Sequence, residues 1–312
     1  MAKKKKDTME FRFYEVPQGE SALVLYGESW VRTYGHEDFR LHFHNLMEIG
    51  ICRYGKGTMH LNEDIVEYKD NTITIIPENY PHVTVSEGEE NNFWEFIFFD
   101  LRSIVTELFP NQIVYQNEIL KAINKEPVFT NVEEEPHITQ LINDIIKEAK
   151  DNEPFHQDIV LLHLKELVYT LIRRSSRMPE IEEPKIKGSN MSQIATALDY
   201  VNKNFDKQIR IGELAKKCGM SETHFRRIFE DFINMSPMDY VNLIRIQRAC
   251  DYMKKSNDSM DLVALKCGFT TTSTFNRNFK KFLNTSPYQW KINPENYEGK
   301  LLNFRISALK GW

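Results

Sequence analysis

Between residues 20 and 100 the apolar residues come in short runs separated by turn-forming residues: Ala22–Tyr26, Leu46–Cys52, Thr72–Ile76 and Phe93–Phe99. These β-rich runs predict a unit built from strands. From 136 to 174 the period changes. Ile138, Leu141 and Ile145, then Leu161, Leu164, Val168 and Leu171, are spaced three and four apart, which predicts amphipathic helices over 138–149 and 159–172. Residues 175–190 hold two prolines, one glycine and three serines with few large apolar side chains, the composition of a linker. Beyond the linker the pattern is helical throughout.

The helical region contains a repeat. Leu214-Ala215-Lys216-Lys217-Cys218-Gly219-Met220-Ser221 is echoed 49 residues later by Val263-Ala264-Leu265-Lys266-Cys267-Gly268-Phe269-Thr270. Phe225, Arg227, Phe229, Phe232, Asn234, Ser236 and Pro237 recur 50 residues later as Phe275, Arg277, Phe279, Phe282, Asn284, Ser286 and Pro287. Two copies are too few for a solenoid. Each reads as a helix-turn-helix: a short helix, a glycine for the tight turn, then an N-cap at Ser221 in the first copy and at Thr270 or Thr271 in the second. In the second helix of copy one, Phe225, Ile228, Phe229 and Phe232 form an apolar stripe. Counting ~100° per residue from Phe225 puts Thr223 and Arg227 on the opposite face, with Arg226 on its flank. In copy two Ser273 and Arg277 project away from the phenylalanines, with Asn276 and Lys280 alongside. A small polar residue and an arginine one turn apart suit a major groove, where arginine binds guanine through two hydrogen bonds. The pattern Tyr240-Val241-x-x-Ile244-Arg245-Ile246-x-x-Ala249-x-x-Tyr252-Met253 predicts a long helix joining the copies. It would set the distance between two groove-reading helices, which on one face of B-DNA is one turn, ~34 Å.

Charge divides the chain the same way. Overall the 312 residues carry 40 Lys+Arg and 45 Asp+Glu, a net of -5, but residues 191–292 alone hold 16 and 10, a net of +6, leaving -11 for the rest. A basic segment on an acidic body suits one domain that meets a polyanion and one that does not. The 41% apolar content excludes wholesale disorder. The longest apolar run, Ala22–Tyr26, excludes a helical membrane span, which needs about 20 residues. The opening Met1-Ala2-Lys3-Lys4-Lys5-Lys6 lacks the apolar core of a secretory signal, so a cytoplasmic protein is expected. Cys52, Cys218, Cys250 and Cys267 form no CxxC pair, which argues against a zinc knuckle or a disulfide framework.

On these motifs residues 191–292 resemble the DNA-binding domain of the AraC/XylS family of bacterial transcription regulators. The matching residues are Ile211-x-Glu213-Leu214-Ala215, Gly219-Met220-Ser221-x-x-His224-Phe225-x-Arg227-x-Phe229 and Arg245-Ile246-x-x-Ala249. They continue through Gly268-Phe269, Phe275-x-Arg277-x-Phe279-Lys280-Lys281 and Ser286-Pro287. The resemblance implies Thr223, Arg226 and Arg227 in one groove segment, and Thr272, Ser273, Asn276 and Arg277 in the next. Glu230-Asp231 stand where the family usually has lysines, which weakens phosphate contacts from the first unit. Asn234 and Asn284 stand where glycine is usual; asparagine tolerates positive φ well. Cys218 and Cys267 read as buried packing residues.

The acidic half carries His42-Phe43-His44-x-x-x-Glu48-x6-Gly55, then Pro77-x-Asn79-x-x-His82. On a continuous strand residues 42, 44 and 48 share one face. His82, from a later strand, would complete three imidazoles and a carboxylate. The pattern is similar to the cupin metal-binding motifs and to the cupin-like sensor domain of AraC-type regulators, with Asn71 and Asn79 where the second cupin motif has glycines. Three readings stand: a divalent metal such as Zn²⁺, Mn²⁺ or Fe²⁺ on His42, His44, Glu48 and His82; an effector pocket hydrogen-bonded by those residues; or satisfied structural histidines. Trp30, Tyr26, Tyr34 and Trp94 are candidates to stack on a sugar, or are core. In the family the helices at 138–149 and 159–172 form a dimer interface, which is the expected use here; the alternative is that the stripe only covers the barrel.

The expectation is an α+β protein. Residues 1–174 form a cupin-like β-barrel that senses an effector and dimerises, 175–190 a linker, 191–292 two helix-turn-helix units, and 293–312 an extension. Its function would be sequence-specific binding of double-stranded promoter DNA in response to a small molecule, a sugar for preference. It would act as a homodimer, with RNA polymerase as a further partner, no membrane partner, no required cofactor and no catalysis. The rival is a cupin metalloenzyme with a regulatory DNA-binding tail.

Overall fold

The computed structural model describes residues 10–12, 14–17, 19–35, 41–62, 64–177, 190–233 and 235–292. Lys3–Lys6, Asn234, most of the expected linker (178–189) and the extension 293–312 lie outside the described residues. The chain forms two compact units that divide near residue 184.

The first unit is built on strands β1 (Glu10–Arg12), β2 (Leu23–Leu25), β3 (Val31–Arg32), β4 (His42–His44), β5 (Met47–Tyr54), β6 (Gly57–Leu61), β7 (Asp64–Tyr68), β8 (Thr72–Ile76), β9 (His82–Ser86), β10 (Asn92–Phe99) and β11 (Val128–Asn131). One sheet runs β1-β4-β9-β6-β7; the other runs β11-β8-β5-β10-β2, with β3 also on β10. The mixed α+β architecture is as expected, but the strands make two facing sheets rather than a closed barrel. Among the described residues no ladder joins one sheet to the other.

Period-2 alternation assigns each strand two faces. On the six-stranded sheet Met47, Ile49, Ile51, Ile73, Ile75, Ile97 and Phe99 point one way. They pack against helices α1 (Leu101–Leu108), α2 (Ile113–Ile123), α3 (Pro136–Asp151) and α4 (His156–Arg177) in one core. The stripe Ile138, Leu141, Ile145, Leu164, Val168, Leu171 belongs to this core, so it covers the sheet. What α4 leaves exposed is a different pair, Leu162 and Tyr169, seven residues apart. The other face of the sheet meets the five-stranded sheet, where Tyr68 stacks edge-on to Trp94 at 5.0 Å and His44 to Phe98 at 5.3 Å.

The chain passes from β4 in one sheet to β5 in the other at Asn45-Leu46. Asn45 fixes that crossing: its Oδ1 accepts from the Tyr14 amide at 2.7 Å and its Nδ2 donates to the Tyr14 carbonyl at 3.0 Å. Asn71 (φ 67°) and Asn79 (φ 61°) adopt the left-handed conformation that their usual glycines would supply. Asn79 also donates its amide to the His44 carbonyl at 2.7 Å, bracing the end of β4.

The second unit comprises α5 (Asn190–Asn204), α6 (Ile211–Lys217), α7 (Glu222–Ile233), α8 (Pro237–Lys255), α9 (Met260–Lys266), α10 (Thr272–Leu283) and α11 (Pro287–Ile292). α8 is the central strut, with Tyr240, Val241, Leu243, Ile244, Ile246, Ala249 and Met253 buried. Each repeat turns at a glycine of positive φ, Gly219 (66°) and Gly268 (81°). Ser221 caps α7, accepting from the His224 amide at 3.4 Å, and Thr271, not Thr270, caps α10, accepting from Thr274 at 3.1 Å. Asn284 ends α10 at φ 54°, as its glycine-like position implies. Cys218 and Cys267 are buried, and burial pushes their thiols up to about 11 and 12, so neither is a thiolate at neutral pH.

Candidate functional site

Both second helices of the repeats bury one face and expose the other. In α7 the buried residues are Phe225, Ile228, Phe229 and Ile233; Phe232 is only half-buried, so Ile233 takes the last place in the stripe. In α10 they are Phe275, Asn278, Phe279, Phe282 and Leu283. The residues expected in the groove lie opposite. Thr223, Arg226, Arg227, Ser273, Asn276 and Arg277 are exposed and Thr272 is half-buried.

Their local partners differ. Arg226 donates to Glu222 Oε1 from Nε at 3.1 Å and from a terminal nitrogen at 2.7 Å. Arg227 lies 3.2 Å from His224 Nδ1 and 3.7 Å from an Asp231 oxygen. The Thr272 hydroxyl donates to Asp261 of α9. Arg277 makes no ion pair among the described residues. The Glu222–Arg226 pair was not singled out from the sequence, although its i, i+4 spacing, acid first, is the signal for it.

Arg245, part of the family motif, does a different job. It is buried in α8, donates to the carbonyls of Phe205 and Lys207 at 2.8 Å each, and lies over the Phe269 ring at 5.6 Å. It ties the loop before α6 to the second repeat's turn, beside Gly268.

In the first unit His44, Glu48 and His82 converge with donor atoms within 4.8 Å of one another, all buried. His42 is not of that group; its ring lies 4.4 Å from the His82 ring, centre to centre. The even spacing of 42, 44 and 48 does not reflect one continuous strand, because Glu48 belongs to the opposite sheet and reaches His44 across the gap. Trp30 stands apart, packed edge-on to Phe96 at 5.8 Å with Arg32 over its ring at 4.8 Å. Tyr34, whose hydroxyl donates to the Trp30 carbonyl, and Trp94 are buried core.

The hydrogen bonds fix the imidazoles. His44 Nδ1 lies 2.8 Å from the Leu46 carbonyl and His82 Nδ1 2.9 Å from that of Tyr80. A carbonyl only accepts, so each ring carries its proton on Nδ1. Both Nε2 atoms then face the same Glu48 oxygen, at 3.0 and 3.3 Å. Burial drives His44 toward the neutral form in spite of the carboxylate beside it. Burial also raises Glu48, but a proton held between it and the imidazoles outweighs that and keeps its carboxyl at about 2. Two nitrogen lone pairs and a carboxylate oxygen meet favourably only around a positive charge, a proton or a metal ion. Backbone carbonyls orienting metal-binding histidines through the far nitrogen are the usual outer shell of such sites. Those carbonyls leave no trace in the residue pattern.

Residues 31–172 match the AraC-like ligand binding domain, and residues 214–292 match a helix-turn-helix domain. The chain is 36% identical over 85 residues to the probable transcription factor PqrA of Proteus vulgaris, covering 27% of this chain and 70% of that one. It is 20% identical over 277 residues to the raffinose operon transcriptional regulatory protein RafR of Pediococcus pentosaceus, covering 87% of this chain and 94% of that one. Among solved structures it is similar to ToxT from Vibrio cholerae at 14% identity and a TM-score of 0.37, over 87% of this chain and 97% of that one. The chain belongs to the AraC/XylS family of transcription regulators, with an AraC-like ligand-binding domain ahead of its helix-turn-helix domain.

Proposed function

We propose that the protein is a sequence-specific transcription regulator whose second unit reads promoter DNA and whose first unit senses a small molecule. One observation carries the DNA half: the repeat presents two exposed polar faces at matched positions, with an arginine (Arg227, Arg277) at the same place in each. Thr223, Arg226 and Arg227 read one groove segment; Ser273, Asn276 and Arg277 read the next, with Thr272 held at its edge. Protection of DNA upstream of the neighbouring genes by the full chain tests this. Failure to protect any such segment, with and without candidate effectors, sinks it.

The effector is a sugar on this reading, supported by the similarity to RafR along most of the chain. The chain acts in the cytoplasm, where its DNA is, as a homodimer, with RNA polymerase as the partner at the promoter. Because the inner stripe of α3 and α4 covers the sheet, the dimer contact falls to the outer residues Leu162 and Tyr169. A divalent transition metal fits the donor set, with His44 Nε2, His82 Nε2 and the Glu48 carboxylate as ligands and His42 beside them. When bound, it would supply a fixed positive charge linking the two sheets. Catalytic metal sites keep one position open to substrate. Here His42, His44 and His82 are fully buried and Glu48 is 1% exposed, which favours a structural or signalling role over turnover. Metal analysis of the purified chain alongside turnover assays decides between them. Stoichiometric metal with activity on a small molecule would support the enzyme instead.

A further inference from the structure

Superposing the repeats in sequence, at the offset of 50, pairs most of the outward-facing residues of α7 with those of α10. Glu222 pairs with Thr272, Thr223 with Ser273, Arg226 with Asn276, Arg227 with Arg277, Glu230 with Lys280 and Asp231 with Lys281. The arginine is kept, but at the last two positions the sign of the charge is reversed. These exposed positions give α7 three acids against two arginines, whereas α10 has three basic residues and no acid. Two of the α7 acids are also engaged: Glu222 takes two hydrogen bonds from Arg226, and Asp231 lies beside Arg227. Of the basic residues of α10, only Lys281 forms an ion pair among the described residues, with Asp239 at 2.5 Å.

A helix with net negative charge cannot draw much affinity from phosphates, which dominate binding energy and its salt dependence. What a carboxylate can do in a major groove is accept from an exocyclic amine, and the N4 amine of cytosine suits it better than the N6 amine of adenine, which lies beside the N7 acceptor. Glu222 is placed for this. It lies in the first turn of α7, the part of a helix-turn-helix that meets base edges. Arg226, paired with it, can bind a guanine at the neighbouring step.

Resting on the reading of these helices as groove-facing, we propose that they divide the work. α10 anchors the protein on the backbone and reads with Arg277. α7 contributes selectivity through a Glu222–Arg226 head, in which the Glu222 carboxylate accepts a hydrogen bond from the N4 amine of a cytosine. Glu222 is thus a specificity residue whose charge opposes affinity.

The test is selection of sequences from a randomised duplex library by the full chain, comparing wild type with Glu222→Gln and Lys280→Gln. Both substitutions are exposed, and unchanged melting temperatures confirm that the variants fold. Glu222→Gln is expected to bind the unselected library about threefold more tightly and to lose about tenfold discrimination for cytosine at one position. Lys280→Gln is expected to weaken binding evenly across sequences and reduce the salt slope by about one. If Glu222→Gln gains affinity but enriches the same sequence as wild type, Glu222 is only a helix-end charge and the proposal falls. If wild type enriches no sequence at all, the groove assignment of both helices falls with it.

Discussion

Two histidine–glutamate contacts in the first unit have the same hydrogen-bond pattern and opposite electrostatics. In the interior, His44 faces a carbonyl through Nδ1 and Glu48 through Nε2, at 2.8 and 3.0 Å. At the surface, His156 faces the Glu153 carbonyl through Nδ1 and Glu20 through Nε2, at 3.0 and 3.3 Å. The interior pair is 0% and 1% exposed, the surface pair 13% and 30%. Burial lowers the pKa of His44, whereas the bond to Glu20 raises that of His156. The partners do not decide the outcome; access to water does. The arginines of the second unit repeat the lesson, with Arg245 spent on backbone carbonyls inside and Arg277 held ready outside.

The largest effect is expected where the buried charge is broken. Glu48→Ala leaves two buried imidazoles facing an empty position and is expected to cost the first unit about 3–5 kcal/mol in urea unfolding. A cost below about 1 kcal/mol would mean that the cluster is not the polar keystone between the sheets. Arg245→Ala comes next, at about 2–3 kcal/mol for the charge-assisted hydrogen bonds lost to the part-buried carbonyls of Phe205 and Lys207. Arg245→Lys should not rescue it, because a single ammonium cannot copy the fork that reaches both carbonyls.

Arg277→Ala inverts this ordering. Stability is expected to stay within about 0.5 kcal/mol, as for most surface substitutions. DNA binding is expected to weaken by about 1–3 kcal/mol, with relaxed choice at one base pair. Arg227→Ala, removing a guanidinium already shared with His224 and Asp231, should lie at the low end of that range. Equal losses at both positions in a binding titration at fixed salt would show that those local contacts do not matter on DNA.

The sequence made the exposed side of this comparison easier to read than the buried side. Helical spacing and the internal repeat located α7 and α10, and Phe225 or Phe275 sufficed to orient their outward faces. The convergence of His44 and Glu48 was also legible, but for a different reason from the one their spacing suggests. Even steps imply a shared strand face, yet the chain changes sheets at Asn45-Leu46 and the two side chains meet across the gap. Tautomers set by the carbonyls of Leu46 and Tyr80, and Arg245's grip on Phe205 and Lys207, depend on backbone positions that residue identity does not encode. The α3–α4 stripe could cover the sheet or a partner, and only packing separated the two uses.

The smallest effect sharpens the comparison most, because it isolates water access from partner chemistry. His156 has two acceptors on its two ring nitrogens, and only the imidazolium can donate to both. Its folded pKa is therefore raised, first by the bond to Glu20. A raised histidine pKa adds stability that is fully present below the unfolded value of about 6.5 and is lost as pH rises through the folded value. Melting temperatures of wild type and His156→Gln are accordingly expected to differ most near pH 5.5 and to converge toward pH 8. Glu20→Gln should remove most of that pH dependence, since it leaves the imidazolium without its anion. The shift is expected to be slight, because both side chains are partly solvated and exposed pairs contribute little. A difference that grew with pH would show that His156 is favoured as the neutral ring, as His44 is, and that water access is not what separates the two pairs.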